Sequence, residues 1–220
     1  MIFKGLPSAI YEMVSKISNE ASPLIAGFIS VELVMINSSY INLFWLFFCL
    51  SMGVQFTCSA IIGNKVGQGD IIGTKNAIRS SILFAVFYAI LVAIIIFTFQ
   101  DYFLMKYAKS EETLELMRSM LGWFVFTLSS LIIKDILFGV IIGIGAQSQT
   151  TKVNLILNLF VWFILMYFLT FYFGYSSSGP WISLGIIGIL SSLFLFRIII
   201  NTDFDMLIKD SEARRKVKKD

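Results

Sequence analysis

The 220-residue sequence predicts an all-α integral membrane protein of six transmembrane helices, and three observations carry that prediction. Apolar residues make up 57% of the chain and charged ones only 14%, with 22 Phe and a mean hydropathy of +0.84; a soluble domain has about 45–50% and about 25%. Five segments, at about 33–62, 78–99, 117–142, 153–173 and 181–201, are long and apolar enough to cross a hydrocarbon core as helices. Residues 7–29 form a sixth, amphipathic segment with helical spacing. This composition excludes a cytosolic enzyme with a single water-facing surface.

The chain opens Met1-Ile2-Phe3-Lys4-Gly5-Leu6-Pro7 and turns polar by Glu12, which does not read as a signal peptide, so the N-terminus is expected to be retained. In segment 7–29, Ile10, Met13, Val14, Ile17, Ala21, Leu24, Ile25 and Phe28 follow an i, i+3, i+4, i+7 pattern. Pro7 suits a helix start and Pro23 a kink. Glu12, Lys16, Asn19 and Glu20 make its polar stripe. The pattern fits a helix lying flat in the headgroups, or a spanning helix whose polar face lines a cavity.

The next segment, 33–62, is long enough to tilt or to extend beyond the membrane. Cys49 and Cys58 lie within it and read as small core residues, not as a disulfide or metal pair. The sequon at Asn37-Ser38-Ser39 sits at the mouth of this apolar run, where a glycan has little room. The glycine-punctuated loop 64–73 lacks a GK[ST] ending and follows a membrane helix, which excludes a phosphate-cradling loop.

Within 117–142, Lys134 and Asp135 are adjacent, so they point about 100° apart and cannot both face one neighbour. At least one is expected to line the interior. Gly139, Gly143 and Gly145 permit close helix contact. Trp123 and Trp181 are expected to begin their helices at a membrane interface, while Trp45 and Trp162 sit deeper as packing residues. Residues 175–180 form a turn, and Arg197 near the end of segment 181–201 can snorkel.

Positive charge stays cytoplasmic. Six spans with both termini cytoplasmic place Lys4, Lys65, Lys75, Arg79, Lys152 and the basic tail 203–220 on that side. Lys106, Lys109 and Arg118 fall outside, diluted by Asp101, Glu111, Glu112 and Glu115. The rule fixes the last five helices. For the first, the short polar turn Ser30–Glu32 favours spanning over the interfacial alternative. The tail's Arg214–Lys219 run fits a topology anchor or anionic-lipid contact, not a nucleic-acid module.

A charge at the bilayer centre is costly and usually functional. Glu12, Lys16 and Glu20 are spaced i, i+4, i+8, so Lys16 can pair with either acid. They form either a structural ion pair or a carboxylate site whose protonation or cation binding changes in a cycle. Asp135 is a second candidate of the same kind. There is no histidine and no acid-rich metal cluster, so no cofactor, no metal and no enzymatic chemistry are expected.

The residues resemble one family: the second half of a multidrug and toxic compound extrusion (MATE) transporter, eukaryotic type. Gly5-Leu6-Pro7-Ser8-Ala9 is similar to the opening of that family's seventh helix, with Glu20 and Gly27 at its second acidic position and glycine. Ser59, Asn64, Gly67 and Gly69 resemble the motif closing the eighth helix, with Ile61 in place of an arginine. Gly139, Gly143, Gly145, Gln147 and Asn154 are similar to the stretch linking the tenth and eleventh, with Ile142 in place of an arginine. Gly179-Pro180-Trp181-Ile182 resembles the start of the twelfth. The first acidic position of the seventh helix is Ser15 here, and the tenth-helix acid falls on Leu131, with Asp135 one turn later.

The resemblance implies a six-helix lobe of an H⁺- or Na⁺-coupled antiporter that exports small organic compounds across a plasma or organelle membrane. The coupling ion would bind near Glu20, with Asp135 as a second candidate, and Glu12 and Lys16 would complete the coupling-ion and substrate candidates. Membrane lipid and a missing N-terminal lobe or a second copy would be its partners. The alternative is a non-transporting half-transporter or gene fragment acting as a membrane interaction protein, with a polytopic enzyme third.

Overall fold

The computed structural model describes residues 9–17, 26–27, 29–175, 178–204 and 206–207. These residues contain no strand. Helix α1 covers 9–17, followed by α2 (Val31–Gln68), α3 (Ile71–Thr98), the short α4 (Gln100–Met105) and α5 (Glu111–Ile144). Helix α6 (Gln147–Tyr172) carries two π-helical stretches, Ile156–Val161 and Phe168–Tyr172, and α7 is Gly179–Ile200. Five of these, α2, α3, α5, α6 and α7, are long and apolar enough to cross a membrane. The middle of segment 7–29, including Glu20 and Pro23, lies outside the described residues, as does most of the tail.

Helix ends follow side-chain chemistry. Ser30 and Ser110 cap α2 and α5 by accepting from Leu33 N and Thr113 N, each at 3.1 Å. Gly69 and Gly145 end the same two helices in the left-handed conformation, at φ 76° and 77°. Asp70 starts α3 by accepting from Gly73 N at 2.7 Å and pairs with Lys65 at 2.9 Å. At 38 residues, α2 is about 57 Å long at 1.5 Å per residue, well beyond a hydrocarbon core.

Helix α5 is the axle of the bundle. It packs against α2, α3 and α7, and its buried residues run around its whole circumference, the mark of a helix enclosed by others. Contact is closest where side chains are smallest. A Cβ on Gly139 would strike the backbone carbonyl of Gln55, and one on Gly143 would lie 2.7 Å from Ile62 Cβ. On the other flank, a Cβ on Gly188 of α7 would collide with Ser130 Oγ. This is the small-residue packing of membrane helices.

At the end where α2 and α5 begin, buried polar side chains tie helices together. Trp181 Nε1 donates to Asn37 Oδ1 at 2.8 Å, Tyr40 Oη to Met117 O at 2.6 Å, and Thr127 Oγ1 to Trp181 O at 2.5 Å. Asn37 has no exposed surface, which leaves its sequon no room for a glycan. Two expectations need correction. Cys49 is exposed on the outer face of α2, while only Cys58 is buried; a helix apolar on every side gives no sign of which side packs. Trp123 lies well inside α5, because its polar first turn, Glu111 and Glu112, carries the helix past the apolar run.

Candidate functional site

Four helices bring charge into one place. On α2, Ser51 and Gln55 are four residues apart, so they share a face, and both have no exposed surface. That face meets α5 at Gly139, where the absence of a side chain lets the two backbones approach. Ser51 Oγ donates to Asp135 Oδ2 at 2.8 Å, and Gln55 Nε2 donates to Glu12 Oε1 of α1 at 2.8 Å. One face of α2 thus supplies a donor to each carboxylate.

Lys134 and Asp135 are both buried, at 5% and 6% exposure, and they face different helices. Asp135 turns to α2. Lys134 turns to α1, donating to Ser15 Oγ at 3.2 Å with its ammonium 5.7 Å from the centre of the Tyr11 ring. The Tyr11 ring lies flat on Phe138, centroids 3.5 Å apart, which anchors α1 to α5. From α6, Asn154 Nδ2 donates to Tyr11 O at 3.1 Å and Ser15 Oγ at 3.3 Å, and Asn158 Nδ2 to Asn154 Oδ1 at 2.6 Å.

The cluster formally holds two carboxylates and one ammonium, a net charge of −1. Asp135 interacts electrostatically with Glu12, Lys134 and Lys16. Taking such charges out of water costs several kcal/mol per ion after relaxation, and the cost is met only by mutual pairing and hydrogen bonds. Here the hydrogen bonds are unevenly spread. Each carboxylate receives one side-chain donor, while Gln55 Oε1 and Tyr11 Oη are buried without a partner among the described residues. Lys16 is exposed and its charge is screened by solvent, so the two carboxylates and one buried ammonium, with idle polar atoms beside them, can take up one proton or monovalent cation.

Of the residues singled out in the sequence, Glu12, Lys134 and Asp135 come together. Lys16 is exposed at the edge of α1, and Glu12 takes its hydrogen bond from Gln55, not from Lys16. Glu20 lies outside the described residues. Sequence reasoning missed Ser51, Gln55 and Asn158. The available signal was the pairing of polar residues four apart inside apolar helices, Ser51 with Gln55 and Asn154 with Asn158.

Comparison with known proteins places the chain. The MatE family profile matches residues 7–171. No curated protein matches the sequence. Among solved structures, the eukaryotic MATE transporter AtDTX14 superposes with a TM-score of 0.88 at 20% identity, covering 96% of this chain and 48% of that one. A MATE in the bent conformation gives 0.83 at 16%, covering 92% and 46%. An outward-facing multidrug resistance MATE family transporter of the MOP superfamily gives 0.80 at 15%, covering 89% and 43%. At these identities the likeness establishes the fold. The chain spans about half the length of the solved transporters it matches.

Proposed function

The chain belongs to the MATE family, and on that premise we propose that it is one lobe of a cation-coupled antiporter exporting small organic compounds. The observation that carries this reading is the cluster of half-buried Glu12 with buried Lys134 and Asp135 at the junction of α1, α2, α5 and α6. Its net negative charge is the property a coupling site needs. One H⁺ or Na⁺ brings it to neutrality, and loss of that cation restores the charge when the lobes rock to the other side. Ser51 and Gln55 hold the two carboxylates in place throughout.

Asp135 is the primary coupling residue in this account, because it is the more deeply buried acid. Glu12 is its partner, and Lys134 sets the resting charge. Glu20 and Lys16, four apart in the first segment, supply a further carboxylate and ammonium. The substrate cavity is completed by an N-terminal lobe or by a second copy of the chain. Six spans with both ends cytoplasmic are supported by the Lys65, Lys75 and Arg79 cluster and the basic tail.

The experiment loads membrane vesicles with ethidium, a small organic cation, with the chain present alone and together with a partner six-helix lobe. Efflux driven by an imposed H⁺ or Na⁺ gradient is expected where the cavity is complete. A folded chain that gives no gradient-driven efflux with either ion and either partner fits the second reading, a non-transporting membrane interaction protein.

A further inference from the structure

A groove far from the charged cluster opens where α2 begins, α4 ends and α5 begins. Its volume is about 440 Å³. Val34, Met35 and Met117 give it an apolar wall, and Lys106, Tyr107 and Lys109 from the α4–α5 connection form its rim. The connection sits at the level of a membrane surface: Phe97, Phe99, Tyr102 and Met105 around it are exposed, at 48%, 55%, 69% and 58%. Tyrosines exposed at a helix end, as Tyr102 and Tyr107 are, mark the headgroup boundary.

The charges at this end are distributed unequally. Arg118 is paired with Asp101 at 2.8 Å, and Glu32 accepts from Thr113 Oγ1 at 2.5 Å. Glu111, Glu112 and Glu115 are exposed on the first turns of α5, where acids complement the helix dipole. Among the described residues, neither Lys106 nor Lys109 is in an ion pair. Lys109 instead leans across the groove, its ammonium 3.8 Å from the Met35 thioether on α2. An ammonium held against an apolar wall beside a second free ammonium is complementary to an amphiphile with an anionic head.

We propose that this groove binds the phosphodiester headgroup of a membrane phospholipid, with the phosphate between Lys106 and Lys109 and the first methylenes of an acyl chain along Val34 and Met35. The apolar wall favours a lipid over free phosphate, which would gain nothing from it. The proposal is independent of the transport reading, because it uses none of the buried charged residues.

The test titrates the detergent-purified chain with dioleoyl phosphatidylglycerol and counts bound lipid by native mass spectrometry. Inorganic phosphate and dioleoylglycerol, which lacks the phosphate, are separate arms. Wild type should retain phosphatidylglycerol and ignore the other two. Lys106→Gln/Lys109→Gln should bind about thirtyfold more weakly, the loss of two basic contacts at a lipid surface, and Lys106→Arg/Lys109→Arg should restore binding. Arg79→Gln/Lys152→Gln, removing two exposed basic residues elsewhere, should bind as wild type. Undiminished binding by the double Gln variant would overturn the proposal. So would an equal loss in the Arg79/Lys152 control, or inorganic phosphate that displaces the lipid at matching concentration.

Discussion

Ser51 Oγ donates a 2.8 Å hydrogen bond to Asp135 Oδ2, joining two fully or nearly buried side chains 84 positions apart in sequence. Removing that donor leaves a buried carboxylate short of a partner, which costs about 1–3 kcal/mol. Ser51→Ala is therefore expected to lower the melting temperature. In Asp135→Asn the carboxylate charge is gone, so adding Ser51→Ala should cost less than it does in wild type. The double-mutant cycle reads the difference as coupling between the two positions; additive losses would show that the bond does not matter.

Glycines in the transmembrane helices should respond to alanine in opposite directions. Gly139→Ala places a methyl 2.9 Å from Gln55 Cα, with backbone on that side unable to move away. Overpacking of this kind costs about 1–3 kcal/mol. A methyl on Gly53 would meet nothing within 4 Å, so Gly53→Ala should be neutral or stabilise by about 0.5–1 kcal/mol through helix propensity. Thermal unfolding in one detergent compares the two directly.

Asn37 is spent on structure. Its side chain accepts from Trp181 Nε1 at 2.8 Å and donates to Leu33 O at 2.9 Å. Chain expressed in a glycosylating host should show no mobility shift on endoglycosidase treatment. Asn37→Ala strands a buried indole N–H, and its stability loss, about 1 kcal/mol or more, should exceed that of Ser38→Ala. Ser38 is exposed and donates to Val34 O of its own helix.

Asp70 gives the α2–α3 connection a pH dependence. The Gly73 N–H that it caps and then the Lys65 ammonium hold its carboxyl below the ordinary carboxylate range. A carboxyl lowered on folding stabilises the folded form above its unfolded value and loses that contribution as pH falls through the folded one. Amide exchange in the first turn of α3 should therefore be pH-insensitive in its protection near neutrality and lose protection at strongly acid pH. In Asp70→Asn that acid-dependent step should disappear.

Much of the fold is legible in the sequence because a hydrocarbon core demands long apolar helices, and α2, α3, α5, α6 and α7 satisfy that demand plainly. The face that each helix buries is not. In lipid, the outward side is as apolar as the inward one, so Cys49 and Cys58 look alike although only Cys58 is buried. The charged half of the site is legible for the opposite reason: Lys134 and Asp135 are too costly in an apolar run to be idle. Their partners are hidden. Ser51 and Gln55 reach the cluster because Gly139 lets α2 close on α5, and that contact joins distant parts of the chain.

The central claim, that Asp135 couples a cation to export, is tested most directly by comparing two ethidium fluxes in vesicles with a complete cavity. One is uphill efflux driven by an H⁺ or Na⁺ gradient; the other is downhill exchange with no gradient. Asp135→Asn keeps the shape and the Ser51 contact while removing the charge. Coupling through Asp135 predicts that uphill efflux is lost in this variant and downhill exchange persists. Uphill efflux at the wild-type rate in Asp135→Asn would contradict it.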